Sequence, residues 1–221
     1  MEAEKKIRRG PSRDMSARYR AFRRLMIVLG RLLFGFTVIG AEKVPATGPL
    51  IVASNHRRNA DPVLVCMAVP RRIQWMGKKE LFVFLFERFF YFIGTFPVDR
   101  EKGGRAALKT SLKLLATGWA LGIFPEGTRR KGYDPNQTPK SGVGMLAARA
   151  DAPILPVFVD RVPGPFERLR GGKLHVYVGD PISVHDMTRP TLRTREQNQR
   201  LPRQRMENCD SMRRLAVPAL R

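Results

Sequence analysis

A histidine and an aspartate five residues apart, His56 and Asp61, could together carry out acid–base chemistry. They follow a short apolar run that ends at Ser54, and α/β folds bind ligands outside the carboxyl ends of such strands. If the chain turns into a helix between them, Asp61 can hold one imidazole nitrogen while the other takes a proton from a hydroxyl. The alternative is a capping aspartate beside an unrelated histidine, and the pair taken alone favours that alternative.

A second polar segment, Glu-Gly-Thr-Arg at 126–129, also follows an apolar run. Its glycine lets the backbone approach a ligand closely. Glu126 can accept hydrogen bonds from glycerol-type hydroxyls, and Arg129 offers a planar fork for phosphate oxygens. Taken alone, the segment could equally be a polar turn that carries a surface arginine.

Two further segments lie beside apolar runs. The loop at 94–100 supplies Arg100, and the segment at 152–157 contains Pro153 and Pro156. Prolines limit the ladder hydrogen bonding of a strand, so the second of these segments is expected to shape a wall.

The four segments, in this order, resemble the motifs of the glycerolipid acyltransferase family, especially its bacterial 1-acyl-glycerol-3-phosphate acyltransferases. The resemblance covers roughly residues 40–180, and four ordered motifs are far more specific than any one of them. The H-x4-D motif is met by His56 and Asp61, the E-G-T-R motif by Glu126, Gly127, Thr128 and Arg129, the V-D-R motif by Val98, Asp99 and Arg100, and the proline-rich motif by Pro153 and Pro156.

The resemblance implies an enzyme in which His56 is the general base and Asp61 orients it. It implies that Arg100 and the 126–129 segment hold the glycerol phosphate end of 1-acyl-sn-glycerol-3-phosphate, which becomes phosphatidic acid in phospholipid biosynthesis. Acyl-CoA or acyl carrier protein would be the co-substrate, with no other cofactor. No cluster of His, Cys and carboxylates suggests a metal site. A different lysolipid acceptor stays an alternative.

The elements that must position these residues alternate between strand and helix, which predicts an α/β fold with a mixed, mainly parallel sheet flanked by helices. The strands are predicted at 50–54, 73–77, 96–98, 121–124, 154–159 and 174–178, and the helices at 16–36, 62–69, 79–93, 105–117 and 142–149. Six of the thirteen phenylalanines lie at 82–92, and we interpret this stretch as a helix buried on all sides, with an acyl-chain lining or a membrane contact as alternatives.

The predicted helix at 16–36 is amphipathic. Phe22, Met26, Leu29, Leu33 and Phe36 recur at helical spacing, and Arg20, Arg24 and Arg31 cluster opposite them. A helix of this kind suits a membrane interface, although it could also pack on its own domain. The apolar run that it contains is interrupted by Arg31, so we expect a retained segment that is too short and too charged to span a bilayer.

We therefore divide the chain into a basic leader with an amphipathic helix (1–40), a catalytic domain (41–182) and an arginine-rich appendage (183–221). The formal net charge of +22 predicts an anionic partner, either a membrane surface, a phosphorylated substrate or a nucleic acid. A basic nucleic-acid-binding protein is the alternative from another class, but it would not explain the ordered motifs. We expect no nucleic-acid partner and a peripheral or monotopic enzyme at the cytoplasmic face of the cell membrane.

Overall fold

Short runs rich in β-branched residues form a seven-stranded sheet in the computed structural model, which describes residues 15–82, 84–98, 104–125 and 142–183. The strands are β1 Thr37–Ile39, β2 Leu50–Ser54, β3 Ile73–Lys78, β4 Thr95–Val98, β5 Ala120–Ile123, β6 Ile154–Val159 and β7 His175–Val178. The helices are α1 Ala17–Phe34, α2 Asp61–Ala68, α3 Phe84–Phe92, α4 Gly104–Ala116, α5 Gly142–Ala150 and α6 Pro165–Leu169.

The strand order is β1-β7-β6-β2-β5-β3-β4, and every neighbouring pair is parallel except β6 and β7. The mainly parallel α/β sheet predicted from the sequence is thereby confirmed, and all six predicted strands are present to within one residue at either end. Strand β1 was not predicted, because three residues carry too little periodicity. Since β1 and β7 run opposite to the others, they begin at the edge where β2 and β6 end.

Helices cover both faces of the sheet, because the strands alternate their side chains between two apolar layers. Leu50 and Val52 of β2 point into a core shared with α1 and α2, whereas Ile51 and Ala53 point into a core shared with α4 and α5. The central strand β2 is buried along its whole length. Its carboxyl end is therefore a rigid base for the residues that follow it.

Helix α1 begins at Ser16, whose hydroxyl accepts the N–H of Tyr19, and ends where Gly35 adopts a left-handed conformation at φ 61°. Its apolar face differs from the predicted one. Phe22 and Met26 turn inward against the domain, and Phe36 lies beyond the helix end and is buried. The outward stripe instead consists of Leu25, Val28, Leu29, Leu32 and Leu33.

The phenylalanine-rich stretch also differs from the prediction of a helix buried on all sides. Helix α3 packs on α1 through edge contacts of Phe92 with Tyr19 and Phe22, while Phe89 is exposed. It flanks the sheet instead of filling a core. The division at residues 40 and 182 stays a prediction, and residues 1–14 and 184–221 lie outside the described part of the chain.

Several arginines make hydrogen bonds within the folded domain. Arg23 donates to carbonyls at the end of α2 at 3.0 and 2.7 Å, Arg72 to the end of α3 at 3.1 and 3.2 Å, and Arg168 to the end of α1 at 3.2 and 3.4 Å. The last carbonyls of a helix have no partner within it and carry its negative dipole end, so a guanidinium satisfies both needs.

Arg71 has a related role at the amino edge of the sheet, away from His56. It is buried and donates to the carbonyls of Pro45, Gly48 and Gly118, which precede β2 and β5. Burial lowers the pKa of its guanidinium. The three carbonyl contacts hold the loops at this edge together, and nothing in the sequence pattern distinguished this arginine from the surface ones.

Candidate active site

His56 and Asp61 meet at the carboxyl edge of the sheet. His56 lies just beyond β2, and Asp61 is the first residue of α2. Their side chains are 3.1 Å apart, from Nδ1 of the imidazole to Oδ2 of the carboxylate. The carboxylate side chain is 3% exposed and the imidazole 17%, so the pair is shielded from water while the ring still reaches the surface. The five-residue spacing thus gives the geometry that the sequence suggested.

Asp61 also closes the loop that carries the histidine. Its Oδ2 accepts the backbone N–H groups of Arg57 and Arg58 at 2.5 and 2.7 Å. Both groups precede the helix, and the N-cap position itself is Ala60, which makes no side-chain cap. The carboxylate is therefore not an ordinary helix cap. Two backbone donors fix it in one position, which in turn fixes the Nδ1 edge of His56.

A stack of aromatic rings fixes the plane of the imidazole. Phe124 follows β5 and lies parallel to His56, with ring centroids 3.9 Å apart and planes 14° apart. Trp75 of β3 stacks on Phe124 at 4.8 Å and 17°. The indole N–H of Trp75 donates to Cys66 Sγ at 3.2 Å. The stack thus joins side chains from three neighbouring strand segments, with Phe124 and Trp75 supporting the imidazole.

Gly122 makes room for this stack. A Cβ at that position would lie 2.5 Å from the indole ring of Trp75, a distance that real Cβ atoms do not adopt. Any other residue at 122 would displace Trp75, and with it the support of Phe124. The sequence analysis singled out neither Trp75 nor Phe124 as a functional residue. The available signal was the position of Phe124, two residues before the Glu-Gly-Thr-Arg run.

Asn55 locks the strand end beside the histidine. Its side-chain amide donates to the carbonyl of Val159 at 2.9 Å and its oxygen accepts the N–H of the same residue at 2.7 Å. Both contacts join the end of β2 to the end of β6. The backbone at His56 is consequently braced on one side by β6 and on the other by the Asp61 loop.

An apolar cleft lies between α1, α2 and the sheet. Its lining is Tyr19, Phe22, Pro62, Val63, Cys66, Trp75 and Ile93. Burial raises the pKa of the Cys66 thiol, which keeps it protonated and unreactive. Trp75 connects this cleft to the aromatic stack on His56.

The other predicted site residues, Arg100 and the 126–129 segment with Glu126, Gly127, Thr128 and Arg129, lie outside the described residues. Their roles stay predictions. Val98, the first residue of the V-D-R motif, and Phe124, two residues before the E-G-T-R motif, are described. Val98 ends β4 and Phe124 follows β5, both at the edge that carries His56.

Comparison with known proteins gives consistent matches. A family model described as Acyltransferase matches residues 35–160. A 1-acyl-sn-glycerol-3-phosphate acyltransferase of Bacillus subtilis is 33% identical over 154 residues, which are 69% of this chain and 76% of that protein. The protein of the same name from Streptococcus pneumoniae is 31% identical over 144 residues, 62% of this chain and 51% of its own length.

A solved structure shares the fold. The crystal structure of the 1-acyl-sn-glycerophosphate acyltransferase PlsC from Thermotoga maritima superposes with a TM-score of 0.62 and covers 90% of this chain and 83% of that chain. Sequence identity between the two is 19%, so this likeness concerns the architecture alone.

Proposed function

Because this chain belongs to the acyltransferase family and is an acyltransferase, we propose that it acylates 1-acyl-sn-glycerol-3-phosphate, giving phosphatidic acid in phospholipid biosynthesis. The acyl group comes from acyl-CoA or acyl carrier protein. The observation that carries the proposal is the imidazole of His56, whose Nδ1 is held by a buried carboxylate while part of the ring stays exposed. The names of the curated relatives supply the acceptor.

The chemistry follows from this geometry. Nε2 of His56 takes the proton from the free hydroxyl of the acceptor, and the oxygen attacks the thioester carbonyl. The tetrahedral intermediate collapses, the carbon–sulfur bond breaks, and the imidazolium returns the proton to the departing thiolate. Asp61 stabilises the imidazolium through Nδ1–H, and Phe124 keeps the ring in the plane that points Nε2 at the hydroxyl. No covalent enzyme intermediate is needed.

We assign the grip on the acceptor's glycerol phosphate to Arg100, Glu126 and Arg129, with Gly127 and Thr128 shaping the loop, on the strength of their motif positions. A charge-assisted contact to phosphate is worth roughly 1.5–3 kcal/mol when shielded. Arg129→Ala should therefore raise KM about ten-fold or more for a phosphate-bearing acceptor, and much less for the acyl donor. An equal loss with and without phosphate on the acceptor would remove Arg129 from this role.

The acceptor and product are lipids, and we propose that the enzyme works as a peripheral or monotopic protein at the cytoplasmic face of the membrane. Among the described helices, none has the length and apolar content to cross a bilayer. The outward stripe of α1 and its exposed neighbours Arg24 and Arg31 suit an interface lined by anionic lipids.

The decisive test is an assay of the purified chain against a panel of lysolipids with each donor. Formation of phosphatidic acid from lysophosphatidic acid, at a kcat/KM well above that for lysolipids with other headgroups, supports the proposal. Preference for another headgroup would make that lysolipid the acceptor, and the same His56 mechanism would apply to it. If no lysolipid is acylated with either donor, the proposal is overturned.

A further inference from the structure

Helix α6 and the end of α1 expose large apolar side chains side by side. Phe166 and Leu169 of α6 are 80% and 84% exposed, and Leu32 and Leu33 of α1 are 70% and 59% exposed. Side chains of this size are seldom left so open on a soluble surface unless something covers them. The sequence analysis predicted no helix at 165–169 and assigned this segment no role.

The two segments adjoin in space, although more than 130 residues separate them. Arg168 of α6 donates to the carbonyls of Leu33 and Leu32 at 3.2 and 3.4 Å. A few residues on, the N–H of Leu174 donates to the carbonyl of Phe34 at 2.9 Å. The exposed apolar side chains therefore belong to one surface, which we call the α1–α6 surface: Leu32, Leu33, Phe34, Phe166 and Leu169.

The topology of the sheet brings this surface to the edge that carries His56. Helix α1 leads into β1 and α6 leads into β7, and both strands run opposite to β2 and β6. Their beginnings consequently lie beside the ends of β2 and β6, as the 3.0 Å bond from the N–H of Asp160 to the carbonyl of His175 shows. With strands roughly 4.8 Å apart, β7 and β1 stand about 10 and 15 Å from β2, the strand that leads to His56.

The exposed ionic groups around the surface are mostly cationic. Arg31, Arg170 and Lys173 are exposed beside it, and Glu167 pairs with Arg161. An apolar patch rimmed by cations matches a membrane interface with anionic headgroups, in which the rings enter the acyl boundary and the cations meet phosphates.

We propose that α6 is a second membrane contact, which inserts Phe166 and Leu169 into the same lipid surface as the end of α1. Two contacts at one sheet edge set the orientation of the protein, so that the His56 edge faces the lipid layer and a lysolipid reaches the base without leaving it. The inference deepens the proposed function, since it supplies the route of the lipid acceptor.

Tryptophan fluorescence of the full chain tests insertion directly. The natural tryptophans, Trp75 and Trp119, are both buried, so a new one reports its own surroundings. In Phe166→Trp and Leu169→Trp, we expect a blue shift on adding phosphatidylglycerol–phosphatidylcholine vesicles, and quenching by brominated lipid. Lys109→Trp, on the exposed side of α4, is the matched control and should not respond. If neither the tryptophan at 166 nor the one at 169 responds to vesicles, the inference is overturned.

A second measurement links insertion to turnover. The double variant Phe166→Ser, Leu169→Ser should lower the vesicle partition coefficient roughly 10- to 100-fold, because two large apolar side chains are lost from the interface. Its activity should fall on long-chain lysophosphatidic acid embedded in vesicles and stay unchanged on a short-chain, monomeric acceptor. Equal losses on both acceptors would point to damage of the fold and contradict a membrane role for α6.

The two proposals can fail separately. If the tryptophan shift occurs but no lysolipid is acylated, the membrane contact stands and the proposed function falls. If the unaltered chain acylates embedded lysophosphatidic acid and neither tryptophan responds, the proposed function stands and the contact falls. Protein dimers that form through Phe166 without any response to vesicles would mean that a second copy covers the surface, which also overturns the inference.

Discussion

His56 and His175 lie at the same edge of the sheet, yet their rings have opposite surroundings. His56 has a buried carboxylate on Nδ1 and an aromatic ring on its face. His175 begins β7, and its buried Nε2 has no hydrogen-bond partner among the described residues. Burial lowers the pKa of the His175 imidazole, an effect that the charge of Lys173 reinforces and that of Asp160 partly opposes.

The difference shows what a base needs beyond residue type and position. An imidazolium formed on His56 faces a carboxylate that two backbone N–H groups hold in place, so the charge is stabilised as the proton arrives. An imidazolium formed on His175 would lose hydration without gaining a hydrogen bond at Nε2. The same edge therefore holds one ring suited to taking a proton and one suited to staying neutral.

Replacing each histidine in turn should give the largest contrast. His56→Ala should lower kcat by about 10²–10⁴-fold, the usual worth of a positioned general base. His175→Ala should retain turnover, because its ring makes no contact with the His56–Asp61 pair. Steady-state acyl transfer measures both, and thermal unfolding checks that each variant folds. Comparable losses in the two variants would mean that the edge as a whole, and not His56, supports activity.

Asp61→Asn makes the surroundings of His56 resemble those of His175. The neutral amide cannot stabilise an imidazolium, so kcat should fall about 10²-fold. This variant should also unfold at a lower temperature than His56→Ala, because the N–H groups of Arg57 and Arg58 lose a charged acceptor. Lowered stability together with a wild-type kcat would show that Asp61 only closes the loop.

The sequence predicted the fold class, six strands and the His56–Asp61 contact, because alternation and the H-x4-D spacing are local properties. It did not predict the support behind the histidine. Gly122 and Phe124 belong to the β5 segment and Trp75 to β3, and only the pairing of β3 with β5 and β5 with β2 brings them beside His56. The predicted orientation of α1 was wrong for a related reason. Periodicity placed Phe22 and Leu29 on one apolar stripe, but α3 covers the first and leaves the second exposed.

Phe124→Leu tests the stack with a smaller change, since leucine fills the space without offering a parallel ring. An aromatic contact of this kind contributes roughly 0.5–1.5 kcal/mol, so kcat should fall about 2- to 10-fold with little change in KM. Phe124→Tyr should retain most of the wild-type kcat, because it keeps a parallel aromatic ring. Phe96→Leu, a buried phenylalanine of β4, is the matched control for lost packing and should leave kcat unchanged.

The stack also has a spectroscopic signature. A ring 3.9 Å from the imidazole should shift the carbon-bound protons of His56 upfield, and with three histidines in the chain the signals can be assigned through His56→Ala. In Phe124→Leu these signals should move towards ordinary positions. Unmoved signals together with a lowered kcat would mean that Phe124 acts on the fold and not through the imidazole.

The smallest expected effect belongs to His175 and concerns stability. Its pKa in the folded chain lies below the unfolded value of about 6.5, so between the two values the unfolded chain binds more protons. The free energy of unfolding should therefore decrease as the pH falls below about 6.5, until the folded pKa is reached.

His175→Gln should flatten this part of the profile, and Asp160→Asn should steepen it, because the carboxylate of Asp160 raises the pKa of His175. Urea unfolding at several pH values between about 5 and 8 gives the free energy of unfolding of all three proteins. Subtracting the wild-type values cancels the contribution of the carboxylates that titrate at lower pH. Identical slopes would mean that His175 accepts a proton as readily in the folded chain as in the unfolded one, and the contrast with His56 would then rest on hydrogen bonding alone.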